Sequence, residues 1–466
     1  MGEVTLIPGL FDVYRGRERY RDALSVLETL VREGHAAFFV GGAVRDALDF
    51  RLSGRPLPPE ADFDIACDAP PERVAALFPR VVPVGAAFGV ARVMVGSTCV
   101  EVARFRADEG YSDGRRPDRV RPASIREDAA RRDFTVNALY YSPFTSELHD
   151  YHGGRADLER RVLRFIGDAA ERIEEDRLRM LRAVRFACLR DLSLDPSASE
   201  AVRAAAPRVL SVSAERIARE LELMFSSPRR SCCLELLDAV GLLAVVLPEV
   251  EALKGVPQPE RFHPEGDVFT HTVLTFAELP PDADFALALA ALLHDAGKPA
   301  TFRVADRIRF DRHDAEGAAL ARRVCERLKL PARTTEKVVW LVATHMKYMD
   351  LKRMRKGRAL AFLLHEWGPD SLALHRADCL ASHGDLSTWR YARALLNSFE
   401  EKPAPLVKGE DVLALGVPPG PLVGEILKEA WNRQVEQGWT DRETALAALP
   451  SIVEEAKRKR EDEHGN

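Results

Sequence analysis

The chain has 466 residues, 46% hydrophobic and 30% charged, with a formal net charge of −5. The length exceeds one ordinary core and suits roughly two to four domains, and the apolar share excludes a wholly disordered chain. The net charge excludes a uniformly basic protein, so a nucleic-acid partner would need a local basic surface. Basic residues are unevenly typed. The first lysine is Lys254, and every cation before it is arginine or histidine. Arginine suits bidentate contacts to phosphate and base edges, although a GC-rich genome gives the same bias. The seven cysteines form no C-x-x-C pair, and adjacent Cys232 and Cys233 do not suit a framework disulfide, so reduced, buried thiols are expected. Met1 to Tyr20 is broken by Pro8, Gly9 and several charges, and no signal peptide or long apolar span is legible. A cytoplasmic protein without a membrane partner is expected.

In chain order, Tyr20, Leu24, Leu27, Leu30 and Val31 fall at helical spacing over Arg17 to Glu33. The apolar run Ala36 to Val40 predicts a strand, ended by Gly41-Gly42. Asp62 to Cys67 predicts a second strand and Pro71 to Phe78 a helix. Gly89 to Val95 and Thr98 to Phe105 predict paired strands across Gly96-Ser97. The polar stretch Arg106 to Pro122 reads as a loop. From Asp168 onward helices dominate: Leu178, Leu181, Val184, Arg185 and Leu189 share one. Pro248 to Pro264 and Lys402 to Pro405 read as linkers, Asp267 to Phe399 as helical. The tail from Gly409 is helical, with Glu454 to Asn466 expected to fray.

The first chemical signal is Asp62-Phe63-Asp64. Side chains two apart on a strand face the same way, about 6–7 Å apart, so both carboxylates can grip divalent cations. Magnesium takes few protein ligands and leaves the rest to phosphates and water. Two metals could activate an attacking hydroxyl and steady a leaving pyrophosphate. D-x-D alone is common, and its weight comes from context. Upstream, Gly41-Gly42-Ala43-Val44-Arg45-Asp46 reads as a glycine turn opening a helix, a site where backbone N–H groups approach phosphate. Arg45 could contact phosphate and Asp46 orient it. Glu101, on the strand Thr98 to Phe105, could bring a third carboxylate.

Together these residues resemble the class II, bacterial-type tRNA nucleotidyltransferase and poly(A) polymerase superfamily. The glycine and D-x-D motifs are followed in order by four others. Arg131-Arg132-Asp133-Phe134-Thr135-Val136-Asn137-Ala138-Leu139 is similar to the ribose-recognition motif. Gly153-Gly154-Arg155-Ala156-Asp157-Leu158 matches the G-G-x-x-D-L turn. Glu175-Asp176-Arg177-Leu178-Arg179-Met180-Leu181-Arg182 resembles the nucleotide-reading helix, and Ser213-Ala214-Glu215-Arg216-Ile217 the helical motif after it. The resemblance implies magnesium on Asp62 and Asp64. It implies triphosphate and ribose contacts from Gly41, Gly42, Arg45, Arg132, Asp133 and Asn137, the last four residues after Asp133 on the same helical face. Asp176 and Arg179, three apart on a helix, present acceptors and a donor fork able to imitate a base edge. The implied reaction is untemplated addition of C and/or A from CTP and ATP to the 3′ end of tRNA. The loop Arg106 to Pro117, with Asp108, Tyr111, Asp113, Gly114, Arg115 and Arg116, resembles the flexible loop of CCA-adding members that add the terminal A. A-only, CC-only and poly(A) addition remain alternatives.

A second site lies downstream. His271, then Leu292-Leu293-His294-Asp295-Ala296-Gly297-Lys298, then Asp378 resemble the H…HD…D pattern of HD metal-dependent phosphohydrolases, with His313 and His345 between. Imidazole plus carboxylate suits a divalent metal, so the pattern implies a second metal site at His271, His294, Asp295 and Asp378. A reading of a different class is an HD phosphohydrolase whose N-terminal half only binds RNA. The expected architecture is α+β: a catalytic head with a small mixed sheet over 1–150, an all-helical neck and body over 151–255, a helical HD domain over 256–400 and a helical tail over 401–466.

Overall fold

The computed structural model describes residues 3–83, 89–110, 118–259, 263–305, 307–398 and 403–464. It divides into two compact units, Met1–Pro248 and Glu249–Asn466, at the start of the proline-bearing stretch.

The first unit is built on strands β1 (Glu3–Leu6), β2 (Ala37–Val40), β3 (Asp64–Cys67), β4 (Val81–Pro83), β5 (Val90–Val95), β6 (Thr98–Arg104), β7 (Arg106–Glu109), β8 (Arg119–Pro122), β9 (Leu139–Tyr141) and β10 (Glu147–Asp150). Eight of them form one mixed sheet in the order β1-β10-β9-β2-β3-β6-β5-β4. The strands β2 and β3 are almost wholly buried and lie mid-sheet, as a near-continuous apolar run predicts. They pair antiparallel with Val40 opposite Asp64, which brings the end of β2 and its glycine turn to the start of β3. The strand β6 runs parallel to β3, with Ile65 opposite Val102. Continuing that register by one residue sets Glu101 beside Asp64.

Two expectations are corrected here. Arg106 to Pro122 is not simply a loop, because β7 and β8 pair antiparallel from Arg106↔Pro122 to Glu109↔Arg119. Its strands carry charge instead of apolar alternation, and Arg121 pairs with Glu109 at 2.9 Å, so a hydrophobic-pattern reading cannot find them. Asp108 lies on β7; Tyr111, Asp113, Gly114, Arg115 and Arg116 lie outside the described residues. The second correction concerns β3, which begins at Asp64 and leaves Asp62 in the preceding segment.

After the head come helices Ala169–Glu175, Arg179–Leu189, Pro196–Ala205, Ala214–Phe225 and Arg230–Ala239. Gly154 opens a short helix whose start presses on the ribose-motif segment. A Cβ there would sit 2.2 Å from the Thr135 carbonyl oxygen, so only glycine fits the G-G-x-x-D-L turn.

The second unit is helical, with one addition to the expectation: a hairpin of Phe302–Val304 with Ile308–Phe310. Its helices include Val268–Ala277, Phe285–Leu293, His313–Arg327, Ala332–Thr344 and Gly368–Ala381. The tail has its own apolar core, including Val412, Ile426, Leu449 and Ile452. Its last helix runs Arg442–His464, so helix continues from Glu454 to His464. All seven cysteines are free, as expected, but Cys99 is exposed and Cys232 half-buried. No described helix is long and apolar enough to cross a membrane.

Candidate active site and candidate metal centre

Around Asp62 and Asp64 the burial alternates: Ala61, Phe63 and Ile65 point into the core while Asp62 and Asp64 point away. The two-residue period thus persists although Asp62 precedes the strand. Phe63 is the anchor, its ring 5.0 Å from Tyr14 and 5.5 Å from Tyr20, edge-on and tilted. Asp62 is 92% exposed, 3.8 Å from Arg19. Asp64 is more enclosed. Burial first, then the neighbouring Glu101 carboxylate, push its carboxyl up to about 6, against the pull of Arg132. Glu101 itself lies 3.7 Å from Arg92.

Gly41 takes φ 77, a left-handed value that favours glycine, and caps the helix Gly42–Ser53. A Cβ on it would lie 3.8 Å from Asp64 Oδ2 and 4.0 Å from Arg132 Nη1. Its missing side chain therefore keeps the space between acid and arginine open. A cleft of about 320 Å³ is lined by Gly41, Gly42, Arg45, Asp62, Asp64, Arg132, Asp133 and Asn137, with Arg182 and Arg190 among its other walls. Eight of the sequence-derived candidates thus meet at one place, one wall acidic and the other rich in arginine.

The wall is braced by a buried relay. Arg45 donates to Asp46 at 2.9 Å and to Asn137 Oδ1 at 2.6 Å. Asn137 donates to Asp133 Oδ1 at 3.1 Å, and Arg182 grips Asp133 Oδ2 at 2.6 and 3.0 Å. Burial opposes ionisation of Asp133, but Arg182, with hydrogen bonds from Asn137 and the Phe134 amide, holds it down at about 2. The expected helical face shared by Asp133 and Asn137 is corrected: only Thr135–Asn137 forms a 3-10 turn, yet the tight turn brings the two side chains together.

Arg132 donates to the Tyr140 hydroxyl at 3.0 Å and to Asp128 at 3.2 Å. Asp128, 1% exposed, also binds Arg131 at 2.7 Å. Sequence reasoning missed Asp128 and Tyr140, which aim Arg132, and the wall residues Arg182 and Arg190. Arg182, Arg185 and Phe186 fall at helical spacing, and the three guanidiniums of Arg45, Arg182 and Arg185 lie 4.3–5.3 Å from the Phe186 ring. That pattern was the available signal. Burial and the neighbouring Arg45 cation push Arg190 down to about 10, despite Asp46 at 3.3 Å.

Asp176 and Arg179 differ from expectation. They straddle a break between helices, with Asp176 capping the end of one and Arg179 opening the next. Both Asp176 oxygens are taken by Arg216, at 3.1 and 2.7 Å. Arg179 donates to Glu175 at 2.5 Å and to the Arg172 and Arg131 carbonyls at 2.8 and 3.1 Å. The described residues lining the cleft do not include either.

In the second unit the four HD candidates converge. His271 Nε2 lies 3.0 Å from Asp378 Oδ1, 3.3 Å from His294 Nε2 and 3.7 Å from Asp295 Oδ2. His294 caps the helix Phe285–Leu293, so the helix end lets adjacent His294 and Asp295 serve one centre. Burial disfavours a charged His271, but Asp378 and Glu265 outweigh it and hold the ring up at about 9. Among the described residues, three groups could hold a metal ion: His263, Glu265 and His271; His271, His294 and Asp378; and Asp295, His313 and His345. Among the described residues, the head carboxylates form no such group.

A mixed sheet carrying a glycine turn and carboxylates at one strand end, continued by helices, defines a nucleotidyltransferase-type head on a helical body. Comparison with known proteins agrees. Residues 37–164 match the poly A polymerase head domain, 191–254 the probable RNA and SrmB-binding site of polymerase A, and 269–381 the HD domain. The chain is 36% identical over 420 residues to the A-adding tRNA nucleotidyltransferase of Deinococcus radiodurans, covering 84% of this chain and 90% of that protein. It is 42% identical over 238 residues to the CCA-adding enzyme of Anoxybacillus flavithermus, where the match spans 51% of this chain and 58% of the relative. The crystal structure of the Bacillus stearothermophilus CCA-adding enzyme with CTP superposes with a TM-score of 0.71 at 28% identity, covering 96% of this chain and all of that one. The chain belongs to the tRNA nucleotidyltransferase and poly(A) polymerase family.

Proposed function

We propose that the chain adds C and A to the 3′ end of tRNA from CTP and ATP, without a template, to build a CCA end. The observation that carries this reading is the single cleft where Asp62 and Asp64 face Gly41, Gly42, Arg45, Arg132, Asp133 and Asn137. The 3′-hydroxyl attacks the α-phosphate in line; a new P–O bond forms and pyrophosphate leaves. Asp62 and Asp64 would hold magnesium, which would neutralise charge and lower the hydroxyl's pKa, and Glu101 adds negative charge beside Asp64. The backbone of the Gly41 turn and the Arg45 and Arg132 guanidiniums receive the triphosphate. Asp133 and Asn137 position ribose. Asp176 and Arg179 read the base, for which Asp176 must exchange Arg216 for nucleotide. Arginines of the helical body hold the acceptor stem by its phosphates and shape. In the second unit, His271, His294, Asp295 and Asp378 hold a divalent metal.

A second reading, addition of the terminal A alone, is favoured by the near full-length match to an A-adding relative. One assay separates the readings: tRNA ending before CCA, and tRNA ending in CC, each with magnesium and CTP and ATP singly or together. Two C then one A on the first substrate supports CCA addition. A single A on the CC-ending substrate alone supports the second reading. Long A tails on generic RNA indicate poly(A) synthesis. No incorporation, with phosphate release surviving Asp62→Ala, leaves only the HD unit as an enzyme.

A further inference from the structure

The hairpin of Phe302–Val304 with Ile308–Phe310 contributes none of the described residues of the nucleotide cleft or of the histidine and carboxylate groups. We propose that it docks single-stranded RNA, stacking bases on its apolar face and holding phosphates with its arginines. The proposal rests on the reading of the chain as an enzyme of RNA 3′ ends.

Each strand reads apolar, cation, apolar: Phe302-Arg303-Val304 and Ile308-Arg309-Phe310. The register sets Phe302 opposite Phe310, Arg303 opposite Arg309 and Val304 opposite Ile308. Alternate side chains share a face, so four apolar groups form one face and two arginines the other. A two-stranded ribbon is marginal unless its apolar face packs on something. Here Phe302 is 39% and Val304 69% exposed. The rings of Phe302 and Phe310 lie 6.0 Å apart, tilted at 51°. Such rings, with aliphatic groups beside them, offer planar bases a surface.

The charge around this face selects the occupant. The segment from Phe302 to Arg312 carries four arginines against two aspartates, in a chain of net charge −5. Arg303 pairs with Asp311, and Arg307 stands exposed at the turn between the strands. Arginine side chains are long enough to reach round a ribbon two strands wide. A ligand that satisfies both features carries planar bases and a row of negative charges, as single-stranded nucleic acid does. The inner end of the hairpin is tied down. The Phe310 carbonyl accepts from His313 Nδ1 at 2.8 Å, and Lys298 Nζ lies 5.2 Å from the centre of the Phe310 ring. A second segment of the same character starts at His345, whose Nε2 lies 3.2 Å from that of His313. It is the 3-10 helix His345–Arg353, with Met349 75% exposed among Lys347, Lys352 and Arg353. Two basic and apolar segments are thus anchored at touching histidines.

The test is photo-crosslinking of the full chain to a short single-stranded RNA carrying thiouridine, with the joined peptides mapped by mass spectrometry. The expected result is RNA joined to the hairpin. That crosslink should fall on the order of tenfold in the Phe302→Ser/Val304→Ser variant, while nucleotide addition stays unchanged. Arg307→Glu changes an exposed turn and serves if the double variant fails to fold; its hairpin crosslink should be weaker and less dependent on salt than that of the wild type. Crosslinks confined to the unit Met1–Pro248, or equal hairpin crosslinking by wild type and variants, overturn the proposal. A hairpin without crosslinks whose Val304→Ser variant turns a dimer into a monomer faces a second copy of the chain, which also overturns it. Hairpin crosslinks in a protein that adds no nucleotide support the docking and sink the transfer reading. Nucleotide addition without hairpin crosslinks sinks the docking alone.

Discussion

Asp64 is enclosed beside Glu101 and Asp62, and in metal-free protein this lifts its carboxyl from 3.8 to about 6. Ionising it in the folded state therefore costs about 3 kcal/mol. The sign follows from proton binding. Between pH 3.8 and 6 the folded state holds a proton the unfolded chain has released, so stability falls as pH rises through that window. Above it the whole penalty is present. Asp64→Asn removes the charge and keeps the shape, so its metal-free form should be more stable than wild type by about 1.5 kcal/mol at pH 5 and about 3 kcal/mol at pH 8. The assay is urea unfolding in chelator, with hydrogen exchange of peptides covering Ala37–Val40 and Asp64–Cys67 reporting the head. All five tryptophans lie at or beyond Trp340, so their emission follows the second unit and should not change. Magnesium should stabilise the wild type more than the variant, since it binds the ionised site. A variant no more stable than wild type at pH 8, or a gain independent of pH, would refute the electrostatic account of this strand end.

Three further outcomes follow from the same contacts. Arg182→Ala leaves Asp133 without its cation and should destabilise the first unit by about 1–3 kcal/mol, discounted for a partly exposed arginine; urea unfolding measures this, with a raised nucleotide KM as the second readout. Gly41→Ala puts a side chain at φ 77 and between Asp64 and Arg132, so nucleotide addition should fall on the order of 10–100-fold at a stability cost of about 1–2 kcal/mol. Asp176→Ala frees Arg216 and removes the acceptors, so the CTP-to-ATP preference should change while magnesium affinity does not; an unchanged preference in competition assays argues against base reading there.

Much of the head was legible because its signals are local. The Gly41 turn ends an apolar run, β5 and β6 meet across Gly96-Ser97 with Val95 opposite Thr98, and Phe63 fixes which way its flanking aspartates point. What was not legible depends on distant partners. Asp128 reads as the first turn of a helix capped by Ser124, and only the fold brings Tyr140 and Arg132 onto it. The ribbon of β7 and β8 carries charged pairs in place of an apolar face. The helix break between Asp176 and Arg179 lacks proline or glycine, so helical spacing extended through it. His313 and His345 stood in the sequence as neighbours of the HD pattern, but their approach to Asp295 requires the Gly297–Gly317 contact, which no spacing rule conveys.

The central claim is that the strand end at Asp62 and Asp64 drives nucleotide addition to tRNA. Its most direct test is labelled ATP and CTP incorporation, with magnesium, into tRNA ending before CCA and into tRNA ending in CC, by wild type and by Asp64→Ala, with folding checked by circular dichroism. The account predicts incorporation at the 3′ end by wild type and none by the folded variant. Equal incorporation by both proteins would contradict it.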